Sequence, residues 1–443
     1  MKILDKNISN DLLDNMPIES FLFNPSLAHL VGDIFMITVR SYRHRLDLPM
    51  DYNRNPYKNT QHPWSTEWDA NQDYTYVFPA IVTKESFTPL LVEDYPIRLD
   101  CQDARIYRFV KTDNKVAFIL TYNEEYNSFP DMLIKSGDSC DDYCYIIGWS
   151  YLIVDKDTLE YTHIPGKQPL CKNISNPVEK NWSLWSIVSQ DDTLNLFTSY
   201  ELTPHQSVFS LDILGVKDGE MMAKADCKML TYKKSSSENV LCKLEKYYED
   251  NLFVSLSTPS YVVNESEYQA VGHIKVRIDY INKHVNQSRN TPLARFSKQY
   301  MKDHYKIIQH PTYVYFMFIY RFEVYKIVEE ETLELNSESF KVSGDTGRMK
   351  TKITRMTPAF VCNVDDYDYL LNFPSGMAIH NNETIISYGN ADFTSHLMFI
   401  PNKDVEQLMV PMKYITPDNF QFKHFDKVNG YIQIPTAKGV STR

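Results

Sequence analysis

The sequence predicts an all-β fold, and three observations support this prediction. Aromatic residues make up 13% of the chain, with 31 tyrosines, whereas glycine is scarce at 13 residues. Runs of alternating apolar and polar residues, rich in β-branched and aromatic side chains, recur along the whole length and are typical of strands. A short polar motif stands beside each group of runs. One such motif per sheet-like segment is typical of a propeller, in which the inner edges of the blades converge on one axial pocket.

The strand-like runs form five groups along the chain. They lie near residues 18–45, 100–155, 180–215, 250–330 and 360–412, and five groups predict a five-bladed β-propeller. One helix is predicted over 293–307, where apolar residues at helical spacing follow a proline, and we expect it to pack as an insertion on the fourth blade. The polar segment 329–355 predicts a long loop.

A single domain is expected in spite of the length. The 443 residues could hold two or three average domains, but propellers of this length form one architecture. Neither a low-complexity tail nor a clear linker divides the sequence. We therefore predict one domain over 1–443, with a catalytic core over about 20–412.

The charge balance and the apolar pattern exclude several function classes. The chain has 46 Lys and Arg against 57 Asp and Glu, a net charge of −11, and no basic block that could follow a phosphate backbone, so nucleic acid is not an expected partner. No apolar stretch approaches the roughly 20 residues that a membrane helix needs. Charged residues also interrupt the first 14 residues, which therefore do not resemble a secretory signal, and a soluble cytoplasmic protein is expected.

The seven cysteines predict neither a disulfide framework nor a metal centre. An odd count leaves at least one thiol unpaired, and the spacing of Cys140, Cys144 and Cys171 lacks the matched second pair of a zinc site. We expect free thiols, no metal and no cofactor.

Asp103 is the candidate catalytic residue. It precedes the strand-like run Ile106–Phe109, so its carboxylate should lie at the end of an inner strand near the axis. An acid in that position can protonate a leaving group if burial raises its pKa. Arg105, two residues on, is expected on the same face of an extended strand. A structural salt bridge between Asp103 and Arg105 is the alternative.

Other polar residues at strand ends are candidates for ligand binding. Asn24 and Arg40 lie at the two ends of a predicted hairpin and could bind vicinal hydroxyls, although a turn Asn and a surface Arg would give the same pattern. Asp392 follows a small-residue turn that could bring its carboxylate to a ligand, or it could form an Asx turn. His205 and His273 lie at strand ends and could bind an anion, or be ordinary satisfied polar residues.

Taken in order, the motifs resemble those of the glycoside hydrolase family 130 superfamily. Its members are five-bladed β-propellers that include β-mannoside phosphorylases and, in a eukaryotic and viral branch, β-1,2-mannosyltransferases. The resemblance runs from about residue 20 to 400. The motifs that carry it are Asn24-Pro25-Ser26, Gln102-Asp103-Ala104-Arg105, Lys180-Asn181, Thr258-Pro259 with Gly272-His273, and Phe373-Pro374-Ser375-Gly376 with Asp392.

The resemblance implies a role for each of these residues. Asp103 would be the general acid and would act through a sugar hydroxyl. The residues expected to hold the sugar are Asn24, Arg40, Arg105, Asn181 and Asp392, and those expected on the phosphate side are Lys180, His205 and His273. One essential acid with an external nucleophile implies inversion at the anomeric carbon.

Two departures from the family pattern affect the expected reaction. Gln102 and Ala104 replace the usual Glu and Pro beside the acid. His205 stands where phosphorylases tend to have an arginine, and it is a weaker anion ligand than a guanidinium. The pattern around Lys180 and Asn181 resembles the eukaryotic and viral branch more closely than the bacterial phosphorylases.

We therefore expect a carbohydrate-active enzyme that performs inverting glycosyl transfer on β-mannoside-type glycans. A glycosyltransferase using a nucleotide sugar and a phosphorylase using inorganic phosphate both fit, with a hydrolase as a further option. The alternative is a catalytically inactive glycan-binding propeller. Expected partners are a mannose-containing oligosaccharide, a sugar phosphate or a nucleotide sugar, and self-association is left open. The Lys-, Asn-, Ile- and Tyr-rich composition suggests an AT-rich genome, such as that of a large DNA virus or a protist.

Overall fold

The structure is a computed structural model. It describes residues 2–15, 20–43, 73–92, 94–111, 114–125, 145–166, 170, 181–188, 194–203, 207–213, 216–217, 220–221, 225–229, 239–249, 251–264, 266–285, 291–304, 313–326, 349–363, 371–390, 394–428 and 430–433.

The first half of the chain forms one short helix and three antiparallel ladders. It opens with β1 (Lys2–Asn7) and α1 (Ser9–Asn15). The first ladder contains β2 (Ser20–Val31), β3 (Ile34–Arg43), β4 (Asp73–Val82), β5 (Phe87–Pro89) and β6 (Ile97–Leu99). The second contains β7 (Gln102–Lys111), β8 (Lys115–Glu125), β9 (Tyr145–Asp155) and β10 (Tyr161–Pro165). The third contains β11 (Ser183–Val188), β12 (Leu194–Glu201), β13 (Ser207–Ile213) and, after the separate pair β14 (Val216–Lys217) and β15 (Glu220–Met221), β16 (Ala225–Met229).

The second half contributes two further ladders and most of the helical residues. After α2 (Val240–Tyr247), the fourth ladder contains β17 (Leu252–Leu256), β18 (Tyr261–Val262), β19 (Glu267–Arg277), β20 (Tyr313–Lys326) and β21 (Met349–Met356), with α3 (Ile278–Val285) and α4 (Pro292–His304) between β19 and β20. The last segment contains β22 (Ala359–Asn363), β23 (Asn372–His380), β24 (Glu383–Asn390), β25 (Thr394–Pro401), α5 (Asn402–Leu408), β26 (Val410–Pro411), a 3₁₀ turn (Met412–Tyr414), β27 (Phe422–Val428) and β28 (Tyr431–Gln433).

The N-terminal strand completes the last ladder. β1 pairs antiparallel with β25, so β23, β24, β25 and β1 form a four-stranded ladder from opposite ends of the chain. β22, β27 and β28 join this ladder to the fourth one, and the two together form a single 13-stranded sheet. The first three ladders are therefore separate sheets, whereas strand pairing joins the last two into one sheet.

Hydrogen bonds connect consecutive ladders and close them into a ring. The contacts, in order around the ring, are Ser26 Oγ accepting from Ile106 N (3.3 Å), Tyr107 Oη with Ser186 Oγ (2.8 Å), Ser183 Oγ donating to Thr258 O (2.6 Å), Gln269 Nε2 donating to Thr384 Oγ1 (2.9 Å) and Ser375 Oγ donating to Pro25 O (2.7 Å). The described residues thus form a mostly β structure with a propeller arrangement.

Apolar side chains fill the spaces between neighbouring ladders. Trp149 and Trp182 are fully buried between the second and third ladders, and Trp185 packs against Tyr268 and Phe322 between the third and fourth. Large aromatic groups provide extensive burial with little loss of rotamer freedom, which accounts for the aromatic-rich composition.

The predicted fold is confirmed as a β structure with a propeller arrangement, whereas the number of blades stays a prediction. The helix predicted over 293–307 is confirmed over 293–304 as part of α4, and residues 305–307 lie outside the described residues. The loop predicted over 329–355 is wrong from Met349 onward, because residues 349–355 belong to β21, which pairs with β20. Lys352 on this strand is exposed. Segments 327–348 lie outside the described residues. The strands β1, β27 and β28 extend the sheet beyond the predicted core of 20–412.

Among the helices of the described residues, none combines the length and the apolar character needed to cross a membrane.

Candidate functional site

Three predicted site residues have left-handed backbone conformations near the start of the first strand of their ladders. The φ angles are 50° for Asn24, 50° for Asp103 and 67° for Asn181. Asn and Asp tolerate this region better than other residues with a Cβ. The register of β2 shifts after Phe23 and that of β7 after Gln102, so both strands bulge at these positions. Bulges change the direction of a side chain, and these bring polar groups from different ladders together.

The carboxylate of Asp103 is the centre of the first cluster. Arg40 Nη1 lies 3.1 Å from Oδ1 and 3.0 Å from Oδ2, and Asn24 Nδ2 donates to Oδ1 at 3.1 Å. Arg40 reaches this position because it pairs with Phe23 across the hairpin, one residue before Asn24. Asn24 is 3% exposed and Asp103 is 9% exposed, so the cluster is shielded from bulk water. Three of the predicted residues therefore converge on one buried group.

This cluster determines what Asp103 can do chemically. A guanidinium and an amide that donate to a carboxylate favour its charged form. To deliver a proton, Asp103 would first have to receive one from solvent. A ligand hydroxyl that accepts the hydrogen bond of Arg40 would favour this step, because the carboxylate would lose a donor. Carboxylate, guanidinium and amide groups together also provide donors and acceptors for vicinal hydroxyls.

Arg105 forms the second cluster, beside the main chain of Asp103. Its Nη2 donates to Asn181 Oδ1 at 2.6 Å, its Nε donates to Ser257 O, and its Nη1 lies 3.4 Å from the main-chain oxygen of Asp103. Burial lowers the pKa of Arg105 to about 10, although the nearby Asp103 opposes the shift, so the guanidinium stays charged at neutral pH. Arg105 thus joins three ladders around the axis.

The expected same-face arrangement of Asp103 and Arg105 assumed an extended strand, and the backbone at Asp103 is not extended. Alternation along an extended strand does not apply, because Asp103 has a positive φ and the register shifts before Arg105. The carboxylate of Asp103 pairs with Arg40 from the first ladder, while Arg105 contacts the main chain of Asp103.

His273 lies beside the second cluster and is buried, with 1% of its surface exposed. Its Nδ1 lies 2.6 Å from Ser257 Oγ, and its ring stacks on Tyr315 at 5.6 Å and meets Phe373 edge-on at 5.3 Å. Burial, Lys275 and Arg105 hold the pKa of His273 well below its usual range, so the ring is neutral at pH 7. A neutral ring could contact an anion only through an N–H donor, and its role on the phosphate side stays a prediction.

Three of the predicted site residues, Lys180, His205 and Asp392, lie outside the described residues. Asn181 directly follows Lys180 in the sequence and bonds Arg105, while Asn390 and Thr394 bracket the segment that contains Asp392.

Sequence reasoning missed two residues that shape the site. Ser257 contacts both Arg105 and His273, and its only signal in the sequence is its position before the Thr258-Pro259 motif. Gly389 approaches Asn24 so closely that a Cβ at this position would lie 1.9 Å from Asn24 Oδ1. A glycine inside a strand is a signal for such close approach.

Within the described ranges, no group of three or more His, Cys, Asp or Glu side chains has the geometry to hold a metal ion.

Comparison with known proteins gives distant structural neighbours. No family model and no curated protein matches the chain. The structural neighbours include a mannose phosphorylase, a mannosyltransferase and a protein of the GH130 family of mannoside phosphorylases. The mannose phosphorylase MPT-4 from Leishmania mexicana, in complex with phosphate, is 13% identical, with 91% of this chain and 90% of that chain covered and a TM-score of 0.39.

Two further neighbours are similarly distant. The GDP-Man-dependent mannosyltransferase MPT-1 from Leishmania mexicana is 10% identical, with 91% of each chain covered and a TM-score of 0.37. A protein from the GH130 family, which contains hydrolases that target β-1,2-mannosidic linkages in Candida mannan, is 12% identical, with 87% of this chain and 85% of that chain covered and a TM-score of 0.37. At TM-scores below 0.5, these similarities do not assign a function to this chain.

Proposed function

We propose that this chain is a carbohydrate-active enzyme that performs inverting glycosyl transfer on β-mannoside-type glycans, with Asp103 as the general acid. The observation that carries the proposal is the convergence of Asn24, Arg40 and Asp103, three predicted site residues from two ladders, in one cluster. We also propose that the five ladders are the five blades of a propeller formed by one domain over 1–443.

In the proposed mechanism, the first cluster binds the transferred sugar. Arg40 and Asn24 donate hydrogen bonds to its hydroxyls, and Asp392 accepts from another hydroxyl. Asp103 first takes up a proton from solvent and then gives it to a sugar hydroxyl, which passes its own proton to the leaving oxygen as the glycosidic bond breaks. The pairing with Arg40 supports the binding part of this role, because it holds the carboxylate of Asp103 beside the two donors that would contact the sugar.

The second cluster is proposed to face the co-substrate. Arg105 and Asn181 are joined by a hydrogen bond of 2.6 Å, and Lys180 and His205 would extend the site on the side of His273. The nucleophile attacks the anomeric carbon from the face opposite the leaving group, so one displacement inverts the configuration. Inorganic phosphate, a sugar hydroxyl with a nucleotide-sugar donor, or water would make the chain a phosphorylase, a transferase or a hydrolase.

A glycan-binding propeller without catalysis is the second candidate. The observation that favours it is that Arg40 already contacts both oxygens of Asp103, an arrangement that suits binding as well as proton transfer. In that case the same pocket would hold a sugar and no bond would break.

Product analysis with a panel of donors tests the proposal. The panel consists of β-mannosides with phosphate, mannose 1-phosphate with mannose, GDP-mannose with mannose, and β-mannosides in water. Proton NMR of the first product identifies both the reaction and the anomeric configuration. The proposal predicts one active combination with inversion. Retention of configuration contradicts the single-acid mechanism. If no donor gives a product while the protein still binds sugar, the second candidate, a glycan-binding propeller, is supported instead.

A further inference from the structure

One face of the fourth ladder carries basic and aromatic side chains near the end of β19. Lys275 and Arg277 alternate with buried apolar residues on β19, so they point to the same side, about 7 Å apart along the strand. Phe253 on β17 pairs with Lys275, and Tyr313 and Tyr315 on β20 pair with Arg277 and Lys275. We call these five residues the basic–aromatic strip. Its members are partly or largely exposed.

The strip is continuous with the candidate site. Arg105 lies over the ring of Phe373 at 5.8 Å, and Phe373 meets the ring of His273 at 5.3 Å. The ring of His273 stacks on Tyr315 at 5.6 Å, and Tyr315 meets Tyr313 edge-on at 6.5 Å. A chain of ring contacts therefore leads from the buried arginine beside Asp103 to the exposed end of the fourth ladder.

The opposite face of the same strands accounts for the packing of this ladder. Ile274, Val276, Val314 and Phe316 are all completely buried in an apolar cluster. Lys275 and Arg277 are not needed to fill that core. Their long side chains lie near aromatic rings, with Lys275 Nζ 6.0 Å from the centre of Tyr313 and Arg277 Cζ 6.0 Å from the centre of Phe253.

The chemistry of the strip matches a ligand that combines negative charge with a flat ring. Two cations on one strand face provide charge-assisted donors for phosphate oxygens, and they stand out in a chain whose net charge is −11. Tyrosine and phenylalanine rings provide stacking surfaces, which every nucleobase can use. A neutral oligosaccharide would use the rings but would gain little from the cations.

We propose that the basic–aromatic strip binds the nucleoside diphosphate part of a sugar nucleotide, with Lys275 and Arg277 on the phosphates and Tyr313 against the base. This inference rests on the proposed function, because it assigns the sugar end of the same ligand to the cluster around Asp103. The strip places the diphosphate beside His273 and Arg105, so in this direction the nucleoside diphosphate leaves on the co-substrate side. The acceptor hydroxyl then attacks from the opposite face and loses its proton, through the sugar hydroxyl, to the carboxylate of Asp103.

Isothermal titration calorimetry of the full chain with GDP, UDP and pyrophosphate tests the inference. The variants are the double substitution Lys275→Gln and Arg277→Gln, the single substitution Tyr313→Leu, and a charge-matched control with Lys352→Gln and Lys423→Gln, two exposed lysines elsewhere on the fold. We expect GDP or UDP to bind the natural protein, and the Lys275 and Arg277 double variant to weaken binding by about tenfold or more. Tyr313→Leu should weaken nucleotide binding and leave pyrophosphate binding unchanged.

Several outcomes would overturn the inference and can be separated from a failure of the proposed function. The strip is refuted as a nucleotide site if the control variant weakens nucleotide binding as much as the Lys275 and Arg277 double variant does, or if the natural protein binds neither GDP nor UDP. If Asp103-dependent sugar turnover is present while neither nucleotide binds, the strip assignment fails and the proposed function stands. If nucleotides bind through the strip and no sugar is turned over, the strip assignment stands and the proposed function fails. Asp103→Asn should not change nucleotide affinity.

Discussion

The substitution Gly389→Ala should damage the site through one identified contact. A Cβ on Gly389 would lie 1.9 Å from Oδ1 of Asn24, 3.0 Å from its Cγ and 3.0 Å from its main-chain nitrogen. The buried Asn24 amide would therefore have to move by roughly 1.5 Å to reach an ordinary van der Waals separation. Rotation of the amide alone does not relieve the contact with the main chain. The bond of 3.1 Å from Asn24 Nδ2 to Asp103 would be lost or misdirected.

The expected effects of Gly389→Ala are large on turnover and moderate on stability. A displacement of roughly 1 Å in a catalytic group can lower turnover by about 100-fold, and overpacking of a buried site costs about 1–3 kcal/mol. The assays are kcat/KM on the donor found active and urea unfolding. Gly32→Ala is the matched control, because it adds a methyl group in open space at a φ of +53° and should cost some stability without changing turnover.

A double-mutant cycle separates this contact from a general loss of folding. Asn24→Gly removes the two side-chain atoms that the new Cβ would meet and leaves only the contact of 3.0 Å with the main-chain nitrogen, and glycine accepts the φ of 50° at this position. The stability cost of Gly389→Ala should then largely disappear in the Asn24→Gly background, with a coupling of about 1–2 kcal/mol, while turnover stays low. Additive stability costs, or full turnover by Gly389→Ala alone, would refute the proposed contact.

Two further predictions concern Arg40 and His273. Arg40→Lys should lower kcat/KM by about 10- to 100-fold, because an ammonium group does not reproduce the planar donor arrangement at Asp103, whereas the exposed control Arg98→Lys should have no effect. His273→Gln should make stability less dependent on pH. Burial keeps the pKa of His273 below that of the unfolded chain, so protonation below about pH 6.5 favours unfolding, and the substitution should remove a slope of up to about 1.4 kcal/mol per pH unit. Urea unfolding between about pH 5 and pH 8 measures this slope, and an unchanged slope would contradict the assignment.

The positions of the site residues could be predicted from the sequence because they depend on local patterns. Asn24 and Asp103 stand where polar residues meet strand-like runs, and the structure places both near the start of the first strand of a ladder. The helix α4 could also be predicted from the sequence, since the spacing of its apolar residues is a local pattern.

The partners of these residues depend on geometry that alternation does not encode. The positive φ of Asp103 departs from the extended backbone that alternation assumes, and its carboxylate pairs with Arg40. The role of Ser257 depends on contacts with residues from two different strands, and no local pattern distinguishes it from other serines.

Long-range pairing also limited the prediction of the fold. β1 pairs with β25 across nearly the whole chain, and its apolar and charged residues resemble an ordinary surface segment. The segment of β21 is rich in Lys and Thr because one of its faces is exposed, and this composition is also typical of a loop.

The most direct test of the central claim is the turnover of Asp103→Asn relative to the natural protein on the donor that the product panel identifies. Asparagine tolerates the left-handed conformation of this position, so the backbone should be retained, and urea unfolding checks that the variant is folded. Asp100→Asn, an exposed carboxylate three residues earlier in the chain, is the control. The account predicts a loss of at least about 100-fold for Asp103→Asn, with sugar binding intact and the control unchanged. Full turnover by a folded Asp103→Asn variant would contradict it.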